Sequence, residues 1–174
     1  MSDAPEGKTA ISSIDTKPID SGVRIGHVHL KVADLERSLA FYRDTLGFTV
    51  TQRFGASAIF LAAGAYHHHI GLNTWESQNG SPPRPGSTGL YHVALLYPTR
   101  AALADALRRV LAAGIPLEGA SDHGVSEAIY LRDPDSNGVE LYRDRPQDEW
   151  PRSANGQLAM YTHHLDIAQL LQES

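Results

Sequence analysis

The chain repeats itself. Gly26-His27-Val28-His29-Leu30 and Tyr91-His92-Val93-Ala94-Leu95 share the pattern His-Val-x-Leu at an offset of 65 residues (27 to 92). Internal similarity at such a spacing constrains architecture before any single motif does. Ala58-Ile59-Phe60-Leu61 then matches Ala128-Ile129-Tyr130-Leu131 at an offset of 70 (58 to 128). With one residue of slack in a turn, Ile70-Gly71-Leu72 falls on Val139-Glu140-Leu141 (70 to 139). Each unit also holds one helical pattern. Asp34 is placed to cap a helix over Leu35 to Leu46, in which Leu35, Leu39, Tyr42 and Leu46 lie near one face. Thr99 does the same for a helix carrying Leu103, Leu107, Val110 and Leu111, and Gly47 and Gly114 follow the two helices as C-cap glycines. Each unit is therefore βαβββ, over about residues 23–76 and 88–145, and the Pro-, Gly- and Ser-dense stretch Asn79 to Ser87 links them.

Neither unit can close a core around its own sheet, whereas two curved sheets side by side form a cup. The expectation is one α+β domain over residues 23–145, with two βαβββ modules paired into one cup-shaped mixed sheet and the helices outside. A length of 174 residues suits one domain with tails. Residues 1–22, rich in Ser, Asp, Lys, Pro and Gly, read as a flexible arm. In the tail from Pro146 to Ser174, Leu165, Ile167, Ala168 and Leu171 predict a short helix packed on the body or on another subunit.

Composition removes several classes of function. A net charge of -5 with no basic run leaves no electrostatic footprint for nucleic acid. The absence of cysteine excludes disulfides, thiolate ligands and a cysteine nucleophile, and suits a reducing compartment. No apolar run approaches the ~18 residues of a membrane span, and residues 1–22 hold no signal-peptide core. A soluble cytoplasmic protein with no membrane partner is expected.

Strand alternation then selects a site. His27 and His29 share one face while Val28 and Leu30 take the other, which must meet the helices. His92 joins the first face by the repeat, and Glu140, between Val139 and Leu141, points the same way. A buried carboxylate is costly unless paired or metal-bound, and imidazole plus carboxylate suits Fe, Mn, Zn or Ni. A lone strand histidine is more often structural; two at repeat-equivalent positions with an inward glutamate reverse that weighting. The pseudo-symmetric site offers four positions, 27, 71, 92 and 140, and the second is Gly71. Three ligands and open coordination positions make the facial triad of non-haem Fe(II) oxygenases. Alternation puts His67 and His69 on the Gly71 face and His68 opposite, which makes His69 a catalytic candidate and His68 structural.

Several ordered motifs carry a resemblance: His27-Val28-His29-Leu30-Lys31-Val32-Ala33-Asp34-Leu35-Glu36-Arg37-Ser38, Tyr66-His67-His68-His69-Ile70-Gly71-Leu72-Asn73-Thr74-Trp75, Tyr91-His92-Val93-Ala94, Asp122-His123-Gly124-Val125-Ser126-Glu127-Ala128-Ile129-Tyr130-Leu131, and Asp133-Pro134-Asp135-Ser136-Asn137-Gly138-Val139-Glu140-Leu141-Tyr142. With them the chain resembles the vicinal oxygen chelate superfamily of glyoxalases, bleomycin-resistance proteins and extradiol dioxygenases, and within it the catechol 2,3-dioxygenase-like enzymes. The resemblance implies Fe(II) held by His27, His92 and Glu140, with Mn(II), Zn(II) or Ni(II) as other metals. It implies His69 as acid and base, Tyr130 as a substrate contact, and a small aromatic diol and O2 as substrates. His123 stands near a further substrate-contacting histidine of the family, or is an ordinary turn residue. Many ring-cleaving relatives carry two such paired modules, so this chain is expected to be a one-domain type that borrows a partner's surface as a homodimer. Ser136 stands where glycine is commonest in its turn, a change that Asn137 and Gly138 are expected to absorb. Two rivals remain: a glyoxalase I-like isomerase, which Gly71 opposes, and a non-catalytic sequestering protein, which the three retained ligands oppose.

Overall fold

The computed structural model of the protein describes residues 17–174, so most of the expected N-terminal arm lies outside the described residues. The first module runs β1 (Val28–Lys31), α1 (Leu35–Leu39), β2 (Thr49–Phe54), β3 (Ala58–Ala62) and β4 (Ile70–Asn73). The second runs β5 (His92–Leu96), α2 (Arg100–Ala112), β6 (Leu117–Asp122), β7 (Ser126–Arg132) and β8 (Gly138–Asp144), and the tail adds β9 (His163–His164) and α3 (Ile167–Leu170). The strand orders are β1-β4-β3-β2 and β5-β8-β7-β6-β9, so the repeat read from the sequence is a repeat of topology. In each module the first strand runs parallel to the last and the remaining pairs are antiparallel. Backbone pairing thus makes two mixed sheets, one per module. A shared core joins them, in which Leu39, Tyr42, Ile59 and Leu72 pack with Leu107, Ile129, Leu131 and Leu141.

Asp34 caps α1 by accepting from the Arg37 N–H at 2.8 Å, and Thr99 caps α2 by accepting from Ala102 at 3.1 Å. The continuous α-helix expected over Leu35 to Leu46 is not what forms. After Leu39 the chain widens into a π-helix over Ala40–Thr45, in which the Leu46 N–H donates to the Phe41 carbonyl at 3.0 Å. The wider turn buries the neighbours Phe41 and Tyr42 together, and Tyr42 ties the modules. Its hydroxyl donates to Asp133 at 2.9 Å in the β7–β8 turn, and burial, then the Asp133 charge, hold that phenol well above its usual range. In the same turn Asp135 accepts from the Ala33 N–H and from Arg37, so the start of α1 is pinned from the other module.

Asp133 is the hub of that contact. It is 4% exposed and accepts from Tyr42, from the Asp135 and Asn137 N–H groups, and from the Asn137 side-chain amide, all at 2.8–2.9 Å. Stranding buried donors costs about 1–3 kcal/mol each, less what water recovers. Asp133→Ala should therefore lower unfolding free energy by about 3 kcal/mol or more, read as a shift of the urea midpoint. An unchanged midpoint would show that the turn is not a structural tie.

The turn also departs from expectation at Ser136. Ser136 itself takes φ 66, rather than leaving the unusual dihedral to its neighbours. Gly138 has a different duty: a Cβ there would lie 2.0 Å from the Tyr91 carbonyl oxygen, so glycine lets β8 approach β5 at the level of His92.

The tail packs on the body. Leu165 and Leu170 are buried in the common core, β9 pairs antiparallel with β6, and Arg100 bridges buried Glu127 to Glu173 near the C-terminus. The short predicted helix is α3, capped by Asp166 accepting from the Gln169 N–H at 3.0 Å. Among the described residues no helix is long and apolar enough to cross a membrane.

Candidate functional site

The second module assembles a polar chain from three strands and a turn. In the parallel pair β5–β8, His92 stands opposite Gly138 and Ala94 opposite Glu140, so His92 and Glu140 share one face. His92 Nε2 lies 2.9 Å from Glu140 Oε2. On β7, Tyr130 is directly opposite Glu140, and cross-strand partners project to the same side. The Tyr130 hydroxyl donates to Glu140 Oε1 at 3.1 Å and lies 2.8 Å from His123 Nε2. Burial, then the Glu140 charge, push the Tyr130 phenol up to about 12, so it is a standing hydrogen-bond donor at neutral pH. The order is His92, Glu140, Tyr130, His123, with a carboxylate as the central acceptor.

The first module gathers aromatic rings. His27 lies one residue before β1, and its ring packs on His68 with centroids 4.5 Å apart. His29 is opposite Gly71 in the β1–β4 register and covers it: a Cβ at Gly71 would meet the His29 ring at 2.9 Å. Phe60 and Trp75 flank His29 at 5.8 and 5.4 Å. His68 also packs on Phe60, which is paired with Gly71, so its ring reaches the Gly71 side rather than the opposite one. The reason is that β4 begins only at Ile70, and strand alternation does not extend back into residues 67–69. Burial, then the charge of His27, hold His29 and His68 below the usual imidazole range. His69 accepts from the Ala63 N–H through Nδ1 at 3.3 Å and packs beside Tyr66. With His27 it lines a cleft of about 570 Å³ between the modules, walled by Phe48, Val93, Leu95 and Tyr97.

The predicted residues therefore fall into two groups. His92, Glu140, Tyr130 and His123 touch in sequence, while His27 and His69, both of the first module, share the cleft between the modules. The His92–Glu140 contact of 2.9 Å is a hydrogen-bonding distance, and imidazole with carboxylate is also a donor pair that a divalent metal accepts. His27 has the right chemistry but packs on His68, and among the described residues no three His, Cys, Asp or Glu side chains converge closely enough to hold a metal ion.

Two features escaped the sequence reading. His29 occupies the space at Gly71, which alternation and a facing glycine could have signalled. The tail reaches the site, since His123 Nδ1 lies 3.1 Å from the Tyr161 carbonyl and 3.2 Å from Thr162 Oγ1. No local pattern marks that contact.

Comparison with known proteins adds an independent line. The family model described as Glyoxalase/Bleomycin resistance protein/Dioxygenase superfamily matches residues 24–141. The chain is 41% identical over 157 residues to the catechol-2,3-dioxygenase of Bacillus subtilis (strain 168), covering 90% of this chain and 54% of that protein. It is 34% identical over 122 residues to biphenyl-2,3-diol 1,2-dioxygenase 3 of Rhodococcus globerulus, covering 70% of this chain and 63% of that one. The chain thus spans between about half and two thirds of the length of these relatives. Among solved structures, a lactoylglutathione lyase from Agrobacterium tumefaciens superposes with a TM-score of 0.55 at 26% identity, covering 73% of this chain and 96% of that one.

Proposed function

The chain belongs to the Glyoxalase/Bleomycin resistance protein/Dioxygenase superfamily, and on that premise we propose that it is an extradiol ring-cleaving dioxygenase. It would open a catechol-type aromatic beside its two hydroxyls, using Fe(II) and O2. The observation that carries this reading is the His92–Glu140 contact at 2.9 Å, backed by the Tyr130 hydroxyl and His123. His92, Glu140 and His27 would hold the metal as its three protein ligands. Bound there, Fe(II) would supply charge stabilisation and a common point of orientation for the diol and the oxygen molecule; Mn(II), Zn(II) or Ni(II) share the same donor preferences.

The remaining work falls to side chains of this chain. Tyr130 keeps its proton at neutral pH and offers one hydrogen bond to a substrate oxygen near Glu140. His123 Nε2 stands on the other side of that hydroxyl as an alternative acceptor for its one O–H. His69, on the cleft it shares with His27, would take a proton from one diol hydroxyl and return it to the opened product. Phe60 and Trp75 present aromatic surface beside His29, as an aromatic ring needs. Exposed Ile25 and Tyr91, next to the edge strands β1 and β5, support a homodimer as the working form.

A glyoxalase-type isomerase is the second reading, favoured by the likeness to the Agrobacterium lyase. Gly71 opposes it, since that position offers no second carboxylate and is covered by His29. One experiment separates them. Fe(II)-loaded protein should consume one oxygen per ring from a panel of catechol, alkylcatechols and dihydroxybiphenyl, with a yellow ring-opened product, and should leave a methylglyoxal–thiol adduct unchanged. Oxygen-independent isomerisation of the adduct, with no diol consumed, would reverse the assignment.

A further inference from the structure

We propose that the C-terminal segment Tyr161–Thr162 is a clamp that fixes the tautomer and orientation of His123, making Thr162 a positioning residue for the Tyr130–Glu140 pair. The inference rests on the dioxygenase reading for its catalytic consequence, though the clamp itself is a matter of hydrogen-bond geometry.

A backbone carbonyl has no proton to give. Because His123 Nδ1 lies 3.1 Å from the Tyr161 carbonyl oxygen, Nδ1 must carry the hydrogen. Thr162 Oγ1, 3.2 Å away, accepts from the same N–H and holds the ring plane against rotation. In the neutral ring Nε2 is then a bare acceptor, 2.8 Å from the Tyr130 hydroxyl. The Tyr130 proton accordingly stands between two acceptors, His123 Nε2 and Glu140 Oε1 at 3.1 Å. Should His123 adopt the other tautomer, its Nε2–H would compete as a donor at Tyr130 and the carbonyl of Tyr161 would face a lone pair. The tail therefore decides whether His123 can receive the Tyr130 hydrogen bond when Glu140 is engaged by another partner.

The segment is built to stay in place. The Tyr161 N–H donates back to the His123 carbonyl at 3.3 Å, and Gly124 leaves room for the Tyr161 ring, where a Cβ would lie 2.6 Å from it. Tyr161 stacks on His163 at 4.2 Å, and β9 then pairs with Ser121 and Asp122, the residues just before His123. Leu165, buried in the core, holds the next turn. A loose tail needs none of these contacts.

The test uses full-length variants. Thr162→Val removes the hydroxyl at constant shape, Thr162→Ser restores it, and Tyr161→Ala removes the ring that seats the carbonyl. Nitrogen-detected imidazole spectra of metal-free protein should show His123 as the Nδ1–H form in the wild type and in Thr162→Ser. The combined Tyr161→Ala/Thr162→Val variant should drift to the Nε2–H form that free imidazole side chains favour. With Fe(II) and a turned-over diol, Thr162→Val should lower kcat by about threefold to tenfold, the range set by one neutral hydrogen bond, with KM unchanged and with recovery in Thr162→Ser. A wild-type His123 in the Nε2–H form overturns the clamp, as does Thr162→Val at wild-type kcat. The two readings fail separately: a correct tautomer in a protein that consumes no diol removes the dioxygenase and leaves the clamp, whereas active protein with the wrong tautomer removes only the clamp.

Discussion

Replacing Glu140 with alanine should abolish both metal retention and ring cleavage. Glu140 is the one side chain that touches His92 on one oxygen and Tyr130 on the other, at 2.9 and 3.1 Å. Its loss removes the only carboxylate of the proposed donor set and leaves a pair of imidazoles that the structure does not bring together. Changing even an outer partner of a ligand typically costs about 10- to 100-fold in affinity or activity, so loss of a ligand should exceed that. Metal content after anaerobic Fe(II) loading should fall below about one-tenth equivalent, from near one in the wild type, and oxygen uptake with catechol should drop to background. Thermal unfolding should change little, because Glu140 is not part of the apolar core and the strand is held by its buried neighbours Val139 and Leu141. Full metal retention by the variant would remove Glu140 from the site and with it the facial triad.

His69→Gln should separate proton transfer from metal binding. The glutamine amide can still receive the Ala63 N–H that His69 Nδ1 accepts now, so the local backbone has no reason to move. Metal content should remain near wild type while turnover falls by ~10² to 10⁴, the usual contribution of one positioned acid or base. Loss of metal instead would make His69 a ligand, and an unchanged rate would return it to the role of a wall in the cleft it shares with His27.

The site is unevenly legible in the sequence. Glu140 was visible because an acidic side chain between two core residues has one place to point, and because its repeat partner, Gly71, has none. His92 followed from the same repeat. Tyr130 was placed by its likeness to the family, and its register against Glu140 then proved direct. His68 lies on the other face from the one alternation predicts, because period two holds only from Ile70, where β4 begins. The long first helix departs from its expected form for a similar reason: its apolar spacing is helical, and the change from a four- to a five-residue hydrogen-bond step goes with burying Phe41 and Tyr42 together.

What the sequence alone determined is whatever local periodicity and self-similarity can carry: two βαβββ units, their caps at Asp34 and Thr99, the α+β class, and one face bearing His92 and Glu140. Those features depend on residues within a few positions of each other, or on a repeat that copies one solution twice. Tertiary structure decided the rest. It laid the His29 ring over Gly71 and packed His27 on His68, 41 residues further along the chain (27 to 68). It also carried the tail back along β6, so that Thr162 meets His123 across 39 residues. Contacts of that kind come from strand register and from the docking of Leu165 and Leu170 into a shared core, and no window of sequence contains both partners.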